Sequence, residues 1–269
     1  MIEQLLVEQD EKLNQRYPFI DVVGPVGVGK STVVQELENS LQVYGLKEPY
    51  LDNPYLDSFY RVDKEQYSFI SQMFFLTEDG KEALNIKRTL PDRTVLKDAG
   101  HKVNHIIATV QWKKGWMSDD DFEAYKRCEE NIYKDAPSPD VYIALTAQKE
   151  TVIRRIKERG RENELIMMNE FPDYFPMLVD EFNNWLAEEK GSSNKVVVID
   201  TDKFDFSKSL NIKDMLLDDT TCWLNYYLTN PHQRGLIGTD GSKLVIPEAL
   251  SIRPQHLSEW APGRKRFGY

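Results

Sequence analysis

The chain is short of several things. Of its 269 residues only two are cysteine, Cys128 and Cys222, far apart and without the close spacing of a metal site, so both read as reduced thiols of a cytosolic protein. Its four histidines, His101, His105, His232 and His256, show no ligand spacing. No apolar run is long enough to span a bilayer, which argues against a membrane role. The opening MIEQLLVEQDEKLNQRY is polar and acidic, unlike a signal or transit peptide. Positive charge is scarce: the formal net charge is −10, and the only notably basic clusters are RRIKERGR at 154–161 and GRKR at 263–266. That balance excludes broad nonspecific nucleic-acid binding while leaving room for a small basic pocket that takes phosphates. Repeats and low-complexity tracts are absent.

What is present is an alternation of short apolar runs with amphipathic stretches. Strands are expected at 18–23 (PFIDVV), about 43–48, about 86–92, 141–145 (VYIAL) and 195–199 (KVVVI), the third by context because Arg88 and Pro91 interrupt it. Helices are expected near 30–42, 64–85, 98–113, 119–134, 150–159 and 171–189. This order predicts an α/β domain, a five-stranded parallel sheet with helices on both faces. No linker divides residues 18–205. Residues 230–269 are rich in turn formers and lack periodicity, so the chain reads as a domain over 1–229 with a C-terminal extension, either packed on the domain or partly mobile.

Between the first strand and first helix stands GPVGVGKST, Gly24 to Thr32. It fits G-x-x-x-x-G-K-[ST] in the strand–loop–helix context that gives the motif its meaning. Gly24, Gly27 and Gly29 let the backbone curl until its N–H groups face the phosphates of a nucleoside triphosphate. Lys30 neutralises the β- and γ-phosphates, Ser31 can ligate Mg²⁺, and Thr32 continues into the helix whose positive end faces the same anion. A GTPase would add N-K-x-D after a later strand, and NKVV at 194–197 and NIKD at 211–214 both fail that pattern. A typical ATPase would show an apolar strand ending in aspartate, which VYIAL does not. The phosphate loop therefore points to a kinase.

Farther along, TVIRRIKERGRENE brings Arg155, Arg159 and Arg161 towards one face at a helix end. On its own this is as readily a solvated, ion-paired helix, since Glu150, Glu158 and Glu162 alternate with the bases. With a phosphate loop upstream and Gly160 as a hinge, it reads as a lid over a transferring phosphate. Glu48, at the expected end of the second strand, can take a proton from an attacking alcohol. DRTVLKD, 92–98, offers an Asp-Arg pair and, six residues after Asp92, Asp98.

Taken in order, GPVGVGKST, Glu48 with Asn53-Pro54, Tyr60 and YSFISQMFFL with Gln72, Asp92-Arg93-Thr94, and RRIKERGRENE resemble the deoxynucleoside kinase family, its bacterial purine members in particular. The segment GWMSDDDFEAYK fits too, and the resemblance spans about 18–205. It implies ATP as donor, Mg²⁺ held by Ser31 and Asp92, and a homodimer. Glu48 would be the general base for a deoxynucleoside 5′-hydroxyl, with Arg93 beside that hydroxyl. Gln72 would read the base, Tyr60 and Glu164 the sugar 3′-hydroxyl, and the lid arginines the phosphates. Gln72 as a surface amide, Asp92-Arg93 as a structural pair, and the aromatics of the 67–75 stretch as core residues are the ordinary alternatives.

One departure stands out. Seven residues after Gln72, where the family usually has an arginine near the base, this chain has Asp79. Asp79 and Asp98 in one pocket would repel, or would together accept hydrogen bonds from an amino-rich base. The competing readings are a kinase for a deoxynucleoside monophosphate or hydroxymethylated base, and a family member that binds nucleotide without chemistry. A monophosphate would need extra cations near Glu48, where only Lys47 and Arg61 are at hand.

Overall fold

The computed structural model describes residues 19–40, 43–48, 50–89, 94–189 and 196–203. The N-terminal segment, the 191–194 connection, Asp92, Arg93, Cys222, GRKR and the 230–269 extension lie outside them.

Five strands form the sheet: β1 (Phe19–Val23), β2 (Val43–Leu46), β3 (Thr94–Asp98), β4 (Val141–Thr146) and β5 (Val196–Asp200). Their order is β2-β3-β1-β4-β5 and every pairing is parallel. Eight described helices connect them: α1 (Lys30–Ser40), α2 (Leu56–Arg61), α3 (Lys64–Thr89), α4 (His101–Lys113), α5 (Asp119–Tyr133), α6 (Lys149–Arg159), α7 (Glu162–Glu170) and α8 (Tyr174–Glu189). The expected α/β architecture with helices on both faces is what the chain adopts. Ile20 and Val22 of β1 and Leu96 of β3 pack with Val33, Val34 and Leu37 of α1 on one face. Val23, Tyr142 and Ala144 point the other way, into a larger core with Val103, Ile106 and Val110 of α4 and Phe175, Leu178 and Phe182 of α8. Strand side chains alternate between faces, so one strand feeds both cores.

The third strand is the principal correction. The expected 86–92 strand is not formed: α3 runs unbroken through 26 residues to Thr89, and the strand is Thr94–Asp98. In an isolated reading the weak pattern of IKRTLPDR looked extended. In the fold, the good helix formers of KEALNIKR continue α3, and TVLKD, entirely buried, takes the slot between β1 and β2. The Asp-Arg pair thus precedes β3, and Asp98 is the carboxylate that ends it. Two helices went unexpected, α2 and α7, of 6 and 9 residues, too short for apolar periodicity to register.

Candidate active site

All five strands end on one edge, and the phosphate loop leaves β1 there. Gly27 and Gly29 adopt left-handed φ values of 85° and 109°, which turn successive peptides without a side-chain penalty. Gly27 answers a second demand as well: a Cβ there would stand 2.6 Å from Ile156 Cγ1 of α6, so the helix packs directly on the loop. Lys30, in the first turn of α1, curls back and donates to the carbonyls of Gly24 at 3.0 Å and Pro25 at 3.2 Å. Ser31 and Thr32 are exposed beside it.

Glu48 follows β2 on the same edge and is half-buried. Loss of solvent pushes its carboxyl up to about 7, with Lys30 opposing the rise and Asp98 adding to it. Burial in turn pulls the Lys30 ammonium below its usual value, while Glu48 and Asp98 hold it up. Asp98 is 3% exposed and its Oδ1 has no partner among the described residues. The structure therefore gathers Lys30, Glu48 and Asp98 at the mouth of the phosphate loop. Arg93 and Asp92, expected with them, lie outside the described residues.

Beyond Glu48 lie the residues expected to face the sugar and base. Tyr60 is buried, its hydroxyl pushed well above its usual pKa by burial, with Tyr174, Tyr50, Glu164 and Glu48 all adding to the rise. Tyr60 and Glu164, the expected sugar pair, are thus neighbours. Asn53 donates from Nδ2 to the Ser71 carbonyl at 3.1 Å and so ties the loop after Glu48 to α3, one residue before Gln72. Gln72 is no surface amide: it is 2% exposed, with a buried Oε1 that has no partner among the described residues. Phe69 packs instead with Leu76, Met117, Phe122 and Tyr125 in a separate apolar cluster, the core alternative.

The lid arginines are occupied by the protein itself. Arg159 grips Glu164 through Nε at 3.1 Å and Nη2 at 2.6 Å, and Arg161 stands 3.5 Å from the same carboxylate. The Arg161 guanidinium lies 4.8 Å from the centre of the Tyr50 ring. Tyr50, not singled out from the sequence, joins the candidate site through this contact, and its place two residues after Glu48 could have flagged it. Gly160, at φ 68°, caps α6 in the left-handed conformation, where the hinge was expected. Among the described residues Arg155 makes no ion pair; its guanidinium bonds to Val28 of the phosphate loop and to Thr201.

Asp79, expected to face the base together with Asp98, already has partners within the protein. Its carboxylate, 3% exposed, pairs with Lys97 at 2.9 Å and accepts from the Tyr133 hydroxyl at 3.0 Å and from Asn104 at 3.4 Å. Lys97 and Asp98 are consecutive in β3 and project to opposite faces, so Asp79, held by Lys97, is on the face away from Asp98. Lys97 also pairs with Glu82, and these carboxylates hold it above its usual pKa against the pull of burial. A lysine inside a short strand that is buried throughout was the signal that should have marked Lys97 as needing a buried partner.

Comparison with known proteins decides what this edge is. A family model described as deoxynucleoside kinase matches residues 20–223. The chain belongs to the deoxynucleoside kinase family. Among its relatives, the deoxyadenosine/deoxycytidine kinase of Bacillus subtilis is 35% identical over 175 residues, covering 63% of this chain and 76% of that one. The deoxyguanosine kinase of the same organism is 30% identical, covering 70% of this chain and 89% of that one. A solved deoxyadenosine kinase from M. mycoides with bound dCTP superimposes with a TM-score of 0.64 at 25% identity, over 77% of this chain and 99% of its own. This deoxynucleoside kinase therefore has the P-loop kinase fold, and its phosphate loop and Glu48 occupy one edge of that sheet. Among the described residues no helix is long and apolar enough to cross a membrane.

Proposed function

We propose that this kinase moves the γ-phosphate of ATP to the 5′-hydroxyl of a purine deoxynucleoside, with Glu48 as general base. The observation that carries this reading is the Glu48 carboxyl beside Lys30, raised to about 7, where it is a base at neutral pH and still basic enough to take an alcohol proton as the O–P bond forms. Lys30 is free to exchange the carbonyls of Gly24 and Pro25 for phosphate oxygens. Arg159 and Arg161 bind Glu164 in this arrangement, and they turn to the transferring phosphate as the nucleoside 3′-hydroxyl takes over Glu164.

Gln72 Oε1 is a buried acceptor without a donor among the described residues, suited to a base bearing N–H groups. Among such bases a purine is favoured by relatives named for deoxyadenosine and deoxyguanosine. Arg61, one of the two cations considered for an acceptor phosphate, is spent on Asp57 at 2.8 Å, Asn163 at 2.9 Å and Glu162 at 2.8 Å, which favours a nucleoside over a monophosphate. Mg²⁺ suits the hard oxygen of Ser31, whose exposure leaves room for water and phosphate in the shell; Asp92, the other expected ligand, precedes β3 and adjoins the opposite edge of the sheet. When bound, the ion would neutralise charge on the donor phosphates. Action as a cytoplasmic homodimer in nucleoside salvage completes the reading, and its support is the family.

The test is ATP-dependent phosphorylation across the four deoxynucleosides and their monophosphates, with Glu48→Gln in parallel. Purine nucleosides should turn over best, and the variant should lose about 10²–10⁴-fold in kcat. Because the active form is the carboxylate, kcat/KM should climb with pH and level off above about 7. Turnover confined to monophosphates, or a variant as active as the parent, would sink the assignment.

A further inference from the structure

We propose that Arg155 is a positioning residue of the donor site: it fixes the Val28–Gly29 peptide so that the Gly29 N–H faces the donor phosphates. This rests on the donor-site reading above and gives Arg155 a different task from that of Arg159 and Arg161.

The geometry is specific. Arg155 Nη1 donates to the Val28 carbonyl at 3.0 Å and to Thr201 Oγ1 at 2.8 Å, while Nη2 donates to the Thr201 carbonyl at 2.7 Å. Thr201, 1% exposed, is itself fixed to the end of β4, since its N–H and its hydroxyl both donate to the Thr146 carbonyl at 2.8 and 3.0 Å. One guanidinium thus joins three parts of the edge: the phosphate loop, the end of β4 and the residue after β5. The loop cannot move away on that side, because Ile156, the next residue of α6, fills the space where a Gly27 Cβ would be.

A peptide unit is planar and trans, so its C=O and its N–H point in opposite directions. A Val28 carbonyl turned to Arg155 therefore aims the Gly29 N–H away from α6. Meanwhile the Gly29 carbonyl is committed to the Val33 N–H, in the first turn of α1, at 3.0 Å. The peptide between two left-handed glycines is the part of the loop with the most freedom to flip, and a flip would present a carbonyl oxygen to the phosphates in place of a donor. The planar fork of arginine can hold two carbonyls and a hydroxyl at once; a lysine ammonium is a single point.

The experiment compares the parent kinase with Arg155→Met, Arg155→Lys and Thr201→Val. Calorimetry with a non-hydrolysable ATP analogue is run beside steady-state kinetics with the preferred deoxynucleoside. Arg155→Met is expected to weaken the analogue and raise KM for ATP by about tenfold or more, leaving kcat within about threefold and the nucleoside KM unchanged. Arg155→Lys should recover little of this. Thr201→Val should raise KM for ATP by a smaller factor, and the Arg155→Met/Thr201→Val double variant should be no worse than Arg155→Met alone. Three results would overturn the proposal: a kcat loss of about 10²-fold at unchanged ATP KM that the lysine rescues, which is the signature of a direct phosphate ligand; a lowered melting temperature with unaltered analogue affinity; or additive effects in the double variant. Calorimetry reads the donor site whether or not turnover occurs, so failure of the acceptor reading and failure of this proposal are told apart.

Discussion

Asp21 and Lys97 are charges set inside apolar strands, and they lie side by side in register across β1 and β3. Asp21 is 1% exposed and accepts from the Gly100 N–H at 3.0 Å. Gly100 has to be glycine, for a Cβ would stand 2.3 Å from the Asp21 carboxylate. Burial, and the Asp79 charge after it, push the Asp21 carboxyl from 3.8 up to about 7, while the Gly100 bond and Lys97 oppose the rise. A carboxyl raised on folding favours the native state when protonated. That contribution is full below pH about 4 and is lost as pH rises through about 7. Asp21→Asn keeps an acceptor for Gly100 and escapes the loss. Its stability relative to the parent, read from urea unfolding, should be greater at pH 8 than at pH 5 by up to about 2–3 kcal/mol. A difference that does not change with pH would count against this reading of the buried carboxyl.

At the scale of elements, the loop and α6 act as one unit. The sequence made Gly27 legible as a phosphate-loop glycine, but not as the seat of Ile156. Alanine at Gly27 meets both obstacles: a φ of 85° and a Cβ 2.6 Å from Ile156 Cγ1. Alanine at Gly29 meets only the first, its φ being 109° with no atom within 4 Å of a Cβ. Both should weaken ATP binding. Gly27→Ala should lose more stability, about 1–3 kcal/mol beyond Gly29→Ala by thermal or chemical unfolding, because overpacking adds to backbone strain. Equal losses would show that α6 yields without cost. The same scale explains why β3 was misread and β1 was not. PFIDVV is a run of apolar, β-branched residues that only a strand accommodates beside a phosphate loop. The 86–98 stretch offers two weak candidates, and the choice between them fell to the slot between β1 and β2 and to the helix that could keep growing.

For the molecule as a whole, the family match ends at residue 223, just short of the 230–269 extension. A chain cut after residue 229 is expected to keep the melting temperature of the full chain within a few degrees and its kcat/KM for the preferred nucleoside within about threefold. Collapse of either would make the extension part of the kinase fold.

The phosphate loop and the alternation of strands and helices were legible in sequence, and Glu48, Tyr60, Gln72 and the arginine run were legible as candidates, since each rests on local chemistry: loop glycines, strand-end carboxylates, apolar periodicity. The tertiary structure alone decided the partners. It gave Asp79 to Lys97, Arg61 to Glu162, Arg155 to Val28 and Thr201, and left Gln72 and Asp98 each with an oxygen unclaimed among the described residues. The physical reason is that a charge buried by folding must be answered by whatever group the topology brings within about 3 Å, often from an element a hundred residues away, and nothing in the local sequence encodes that distance.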